Sequence, residues 1–209
     1  MNERTMKWQV ELIPPNALDV LDRLTAASVL DEFYLAGGTG LALTLGHRRS
    51  RDFDFFSRNL FDENLLLQKI KSPLSVTSKA SRTLHLDIDG MKVTFLGYSY
   101  PLLFPVNEFN RVKVADVRDI ACMKIDAISS RGAKRDFIDL YTVARKFGLA
   151  DLLRLFDQKY ADTHYNRVHI LKSLTYFDDA ESDPMPDMAN QVTWEMVKEF
   201  FLNEVPKLL

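Results

Sequence analysis

The sequence predicts an α/β protein, with a small sheet in its first half and a helical second half beginning near residue 116. Three observations predict this. A short apolar run at 33–36 stops at Gly37-Gly38, and a helical stretch at 39–45 follows and ends at Gly46. Residues 52–56 alternate with the period of a strand, and 83–88 and 91–96 read as two more strands about Asp89-Gly90, a two-residue hairpin turn. Beyond residue 116 the apolar positions recur at helical spacing. The division expected is a sheet-bearing lobe over 1–115 and a helical lobe over 116–209.

At 209 residues the chain is one large domain or two small lobes, and with 46% apolar and 27% charged residues it can build a core. The net charge of -2 means that any nucleic-acid contact must come from a local basic patch. A single cysteine, Cys122, excludes an internal disulfide and a cysteine-based zinc site, and its apolar neighbours mark it as core. No apolar run approaches the roughly 18 residues of a membrane helix, and Met1-Asn2-Glu3-Arg4 opens no signal peptide, so the expected location is the cytoplasm.

In chain order, Asn16 is placed to cap a helix over 17–30, striped by Leu18, Leu21, Leu24 and Val29. Next comes the strand, glycine pair and helix. Bare glycines let backbone N–H groups approach an anion, and a helix N-terminus favours negative charge. Gly37, Gly38 and the hydroxyl of Thr39 therefore suit a phosphate, although such a pair is also an ordinary tight turn. His47, Arg48, Arg49, Ser50 and Arg51 follow. They either neutralise triphosphate oxygens or an RNA backbone, or form a solvated basic loop, or pair with the next two aspartates.

Those are Asp52 and Asp54, on one face of a strand whose other face carries Phe53 and Phe55. Their Cα atoms lie about 7 Å apart. Two carboxylates so close repel unless something positive lies between them. A divalent cation carrying a triphosphate is one answer, and an edge strand facing water is the other. A phosphate cradle followed by paired carboxylates supplies both halves of a nucleotidyl-transfer site.

Residues 62–70 read as a helix and 74–79 as a strand ahead of the hairpin. Tyr98, Tyr100 and Phe104 lie in a connection over 98–105, where they either stack a base or pack a lobe junction. Residues 111–114 make a further short strand. A helix over 117–129 puts Ile120, Lys124, Ala127 and Arg131 on one face. A lysine among apolar neighbours needs an anion, either a nucleotide phosphate or Asp136, unless it snorkels to water. The helix over 133–147 carries Asp136 and Asp139 on one face and ends at Gly148. Helices at 151–160 and 164–176 follow, then an acidic, proline-bearing stretch over 178–190 that reads as a solvated linker, then a last helix over 194–203 capped by Thr193.

Leu35-Ala36-Gly37-Gly38-Thr39-Gly40-Leu41-Ala42-Leu43 with Gly46-His47-Arg48-Arg49-Ser50-Arg51-Asp52-Phe53-Asp54 resembles the AbiEii/AbiGii-type nucleotidyltransferase toxins of the DNA polymerase β-like superfamily. Lys124-Ile125-Asp126-Ala127 and Arg135-Asp136-Phe137-Ile138-Asp139-Leu140 resemble that family's second block. The resemblance implies a polymerase β-like mixed sheet with a helical carboxy-terminal lobe completing a cleft. It implies transfer of a nucleoside monophosphate from an NTP to an acceptor such as a tRNA 3′ end or another RNA, as the toxin of a toxin–antitoxin or phage-defence system with a cognate antitoxin. On this reading Mg²⁺ is the cofactor, held by Asp52 and Asp54. Lys124 and Asp136 act with them in catalysis, and Gly37, Gly38, Thr39, His47, Arg48, Ser50 and Arg131 bind the nucleotide. Superfamily members usually carry a third carboxylate on a strand here. In this chain Thr94 stands where it is expected, and Asp87 is the nearest substitute. A degenerate module that binds nucleotide or RNA without turnover is the alternative.

Overall fold

The structure is a computed structural model and describes residues 7–71 and 73–208; Met1-Asn2-Glu3-Arg4 lie outside these. The chain folds as two compact units. One takes the chain up to Pro101 together with Pro105–Asp116; the other takes Leu102–Phe104 together with the chain from Val117 onward.

The first unit is built on a mixed sheet that is seven-stranded among the described residues, in the order β3-β4-β5-β2-β1-β7-β6. The strands are β1 (Tyr34–Leu35), β2 (Phe53–Ser57), β3 (Ser75–Ala80), β4 (Thr83–Ile88), β5 (Met91–Gly97), β6 (Asn107–Phe109) and β7 (Val112–Val114). β2 runs parallel to β5 and antiparallel to β1, while β1 runs parallel to β7. The alternation read from the sequence is realised in β2: Phe53 and Phe55 are fully buried, and Asp54 and Phe56 sit half-buried on the opposite face. Phe55 and Phe95 stack at 5.5 Å between ring centroids, and Phe33 meets Phe95 edge-on at 5.0 Å. Val20, Leu21 and Leu24 of α1 (Ala17–Ala26) and Leu66 of α3 (Glu63–Lys69) belong to the same apolar core. Asp62 caps α3 by accepting the Asn64 and Leu65 N–H groups.

Three local expectations are corrected. α1 ends at Ala26, four residues early, because Ser28 takes a left-handed φ of 50°. The Ser28 N–H then bonds Thr25 O and the Val29 N–H bonds Leu24 O, the helix-ending pattern that glycine usually signals. Asn16 makes no side-chain cap; its amide donates instead to Asp89 O at 3.0 Å. β3 is an edge strand exposed at all six residues, with a register shift between Val76 and Ser78, so its alternating pattern buries nothing.

The second unit is helical: α4 (Val117–Arg131), α5 (Lys134–Phe147), α6 (Leu149–Lys159), α7 (Arg167–Ser173), α8 (Asp178–Glu181) and α9 (Trp194–Glu204). Phe137, Phe177, Trp194 and Phe201 form one aromatic cluster. Cys122 is fully buried, and burial pushes its thiol up to about 12, which suits packing and not nucleophilic chemistry. The acidic stretch after residue 177 is not a solvated linker. Asp183 Oδ2 accepts the Lys134 N–H at 3.0 Å at the start of α5, and Glu181 takes Trp194 Nε1 at 3.1 Å and Lys198 Nζ at 2.8 Å. Among the described residues no helix is long and apolar enough to cross a membrane.

Candidate active site

The glycine pair opens α2 (Gly37–Leu45), so both glycines lie in its first turn and not ahead of it. Gly37 has a φ of 62°, and a Cβ there would lie 2.6 Å from Asp54 Oδ2. A Cβ on Gly38 would lie 2.4 Å from Arg48 Nη2 and 3.2 Å from Ser50 Oγ. The bare backbone thus makes room for a carboxylate at one residue and a guanidinium at the next. Thr39 is buried, with Oγ1 2.8 Å from Ser50 Oγ and also bonded to the Asp52 carbonyl, which ties the start of α2 to the entry of β2. The Ala36 N–H donates to Asp54 O at 3.0 Å and fixes the same junction from β1. Gly37, Gly38, Thr39, Arg48, Ser50, Asp52 and Asp54 are therefore brought together around one helix N-terminus.

His47 and Arg48 are 1% and 5% exposed, so this part of the basic segment is not a solvated loop. Arg48 Nη1 donates to Arg49 O at 3.0 Å, which turns the guanidinium inward over Gly38. Arg49 reaches the Glu11 carbonyl at 2.9 Å, and Arg51 is exposed.

On the sheet, Asp54 lies in register with Thr94 of β5, and Thr94 with His85 of β4. The three side chains share one face. Thr94 stands beside Asp54 where a third carboxylate was expected, with Oγ1 3.0 Å from His85 Nδ1. Asp87 does not replace it, because Asp87 Oδ1 accepts the Gly90 N–H at 2.9 Å and shapes the hairpin turn. Among the described residues no three His, Cys, Asp or Glu side chains group as ligands of one metal ion. His85 escaped the sequence reading, although the two-residue turn fixes residue 85 opposite 94.

The second block forms its own cluster in the helical unit. Lys124 Nζ lies 2.6 Å from Asp136 Oδ1 and 2.6 Å from Asp139 Oδ2, and both aspartates are fully buried. Arg131 donates from Nε to Asp136 Oδ2 at 3.0 Å and from Nη2 at 2.8 Å, with its own side chain 56% exposed. The anion that Lys124 meets is thus a pair of aspartates. The carboxylate that Arg131 meets is that of Asp136. Burial pulls the Lys124 pKa down, but Asp139 and Asp136 outweigh it and leave it above the usual lysine value. Burial pushes Asp136 up, but Lys124 and Arg131 outweigh it and hold the carboxyl below its ordinary range.

Comparison with known proteins gives the family and the fold. The chain is 38% identical over 199 residues to an uncharacterised protein of Aquifex aeolicus strain VF5, covering 91% of this chain and 95% of that one. Among solved structures it is similar to MenT4, a nucleotidyltransferase toxin from Mycobacterium tuberculosis H37Rv, with a TM-score of 0.54 at 15% identity over 92% of this chain and 85% of that one. It is also similar to the antibiotic-resistance factor ANT(2'')-Ia, with a TM-score of 0.52 at 11% identity over 69% of this chain and 91% of that one. At these identities the two structures show a shared nucleotidyltransferase fold. The family model "Nucleotidyl transferase AbiEii toxin, Type IV TA system" matches residues 19–101 and 80–207. This chain belongs to the AbiEii family of nucleotidyltransferase toxins.

Proposed function

We propose that this toxin transfers a nucleoside monophosphate from an NTP to the hydroxyl of an RNA acceptor such as a tRNA 3′ end, with Mg²⁺ at Asp52 and Asp54, releasing pyrophosphate. The observation that carries the reading is Asp54 on the open face of β2, its carboxylate against Gly37 at the start of α2, with the Arg48 guanidinium against the next residue, Gly38. The donor set fits a hard cation: two carboxylates, with the other positions left to water and phosphate oxygens, which magnesium accepts. Bound there, the ion would offset phosphate charge during in-line displacement. Arg48 and the first amides of α2 bind phosphate oxygens. Asp136 presents the half-exposed Arg131, and Lys124 holds that aspartate in place. The family implies a cognate antitoxin.

A second reading, nucleotide or RNA binding without turnover, is favoured by Thr94 beside Asp54. Incubation with labelled NTPs, Mg²⁺ and total tRNA decides between them. Label transfer to RNA that disappears in Asp54→Ala is the expected result; tight NTP binding with no transfer by the wild type would establish the module. Label on protein or on a small molecule would move the acceptor to another class. Gly37→Ala is expected to slow transfer about a hundredfold, because its Cβ must displace the Asp54 carboxylate. It should also cost about 1–2 kcal/mol of stability from the left-handed backbone. Rates and denaturant midpoints measured together check both.

A further inference from the structure

The face of β2 that carries Asp54 continues two residues on to Phe56, and from there an aromatic row leaves the carboxylate. Phe56 meets Tyr98 edge-on at 5.6 Å between centroids, and Tyr98 meets Tyr100 at 5.1 Å. All three rings are half-buried and belong to the first unit. The Tyr98 N–H donates to Ser57 O at 2.7 Å, which continues the β2–β5 pairing and fixes where the row starts.

Two arginines converge between the tyrosines. Arg58 Nε donates to the Ser99 carbonyl at 3.2 Å, and Arg82 Nη1 donates to Ser99 Oγ at 3.1 Å. Neither makes an ion pair among the described residues; Glu63 accepts only the Arg82 backbone N–H. The backbone makes two accommodations to hold Arg82. Its φ is 58°, a left-handed value for a bulky residue. Gly97 also leaves room for it, since a Cβ there would lie 2.3 Å from Arg82 Nε and 2.7 Å from Arg82 Cβ. In a chain of net charge -2, two uncompensated guanidiniums set among partly exposed rings form a local patch of one chemistry. Rings take nucleobase faces, and guanidiniums take the phosphates between them.

We propose that Phe56, Tyr98 and Tyr100, with Arg58 and Arg82, bind the unpaired end of the acceptor RNA and lead it toward Asp54. This rests on the transferase reading above and adds to it which surface holds the acceptor. The row starts about 7 Å from Asp54 along the strand, so its first base would be the one nearest the reacting hydroxyl. A fully paired duplex offers no base faces and gains only the two phosphate contacts.

The test is anisotropy of a labelled single-stranded RNA of about eight nucleotides, measured without NTP or metal. Tyr98→Leu and Tyr100→Leu keep apolar packing and lose the π-face. Each is expected to weaken binding about tenfold with an unchanged unfolding midpoint, whereas the Tyr→Phe variants bind as wild type. Arg58→Gln and Arg82→Gln should each lower the slope of log K against log[salt] by about 0.7. A base-paired hairpin should compete poorly. Leucine variants that bind the oligonucleotide as tightly as wild type would overturn the proposal. So would leucine variants that raise the KM for NTP and not for RNA, since the rings would then belong to the incoming nucleotide. Asp54→Ala should bind the oligonucleotide normally while transferring nothing, so failure of the platform and failure of the transferase reading are told apart.

Discussion

Replacing Lys124 by methionine is expected to destabilise the helical unit by about 3–5 kcal/mol at neutral pH. The substitution keeps the volume and the apolar stem but removes the ammonium that lies 2.6 Å from each of two fully buried carboxylates. Asp136 would keep the Arg131 fork, while Asp139 would lose the cation that the structure places against it. A buried pair is often no more stable than an apolar substitute, but removing one partner leaves charge uncompensated, and that asymmetry sets the size of the loss.

The pH dependence gives the prediction a second readout. The Asp136 carboxyl is held below its ordinary value, so its contribution is present above the unfolded pKa near ~3.9 and lost as pH falls through the folded value. Lys124 is raised, so its contribution is complete below the unfolded value near ~10.4 and lost only at higher pH. The wild type should hold a flat plateau between these limits, as far as this cluster decides. In Lys124→Met both carboxylates lose that cation, so they rise in pKa and take up protons at a higher pH than in the wild type. The gap between mutant and wild type should therefore narrow on acidification. Urea midpoints at pH 7 and pH 4.5 measure it, and a gap that stays constant or widens would remove the assigned charge roles. Adding Asp136→Asn and Asp139→Asn to Lys124→Met should recover much of the loss, which separates charge from shape.

What was legible in the sequence follows from how local each feature is. The glycine pair, the acidic strand and the hairpin are each set by neighbours within a few residues, and Phe53 and Phe55 turn to the core as their alternation requires. The register of Asp54 against Thr94 follows less directly, because β2 and β5 are parallel and no turn joins them. The end of α1 was illegible because Ser28, and not a glycine, takes the left-handed position. The basic segment stayed open between alternatives because sequence shows charge and not direction: Arg48 turns onto Gly38 and is buried, while Arg49 three bonds of backbone away stays exposed. At the second block the face shared by Lys124, Asp136 and Asp139 was readable, but which carboxylate takes the arginine depends on the turn at Gly132, with its φ of 57°. Arg58 and Arg82 gave no signal, since they meet only through Ser99.

Asp119 is the feature furthest from any sequence signal, and its removal should cost as much as that of Lys124. It lies on α4, fully buried, and its carboxylate has three donors. Lys159 Nζ, also fully buried at the end of α6, lies 2.8 Å away across 40 residues of sequence. The N–H groups of Leu103 and Phe104 donate at 3.0 Å each. These contacts explain why 102–104 belong to the helical unit while the chain on either side belongs to the sheet unit. Arg118 adds to the same attachment, its guanidinium carbon 3.5 Å above the Phe104 ring. Asp119→Ala strands an ammonium and two backbone donors at once, for an expected loss of about 3–5 kcal/mol. Asp119→Leu with Lys159→Met removes both charges and should recover part of that loss. It leaves the Leu103 and Phe104 N–H groups unpaired, at about 1–3 kcal/mol each. The backbone share is separable because amide exchange at residues 103 and 104 should accelerate in both variants, while the global unfolding midpoint recovers only in the double one. Unchanged exchange at those two amides would mean that the 102–104 segment is held by the Arg118–Phe104 contact and not by the carboxylate.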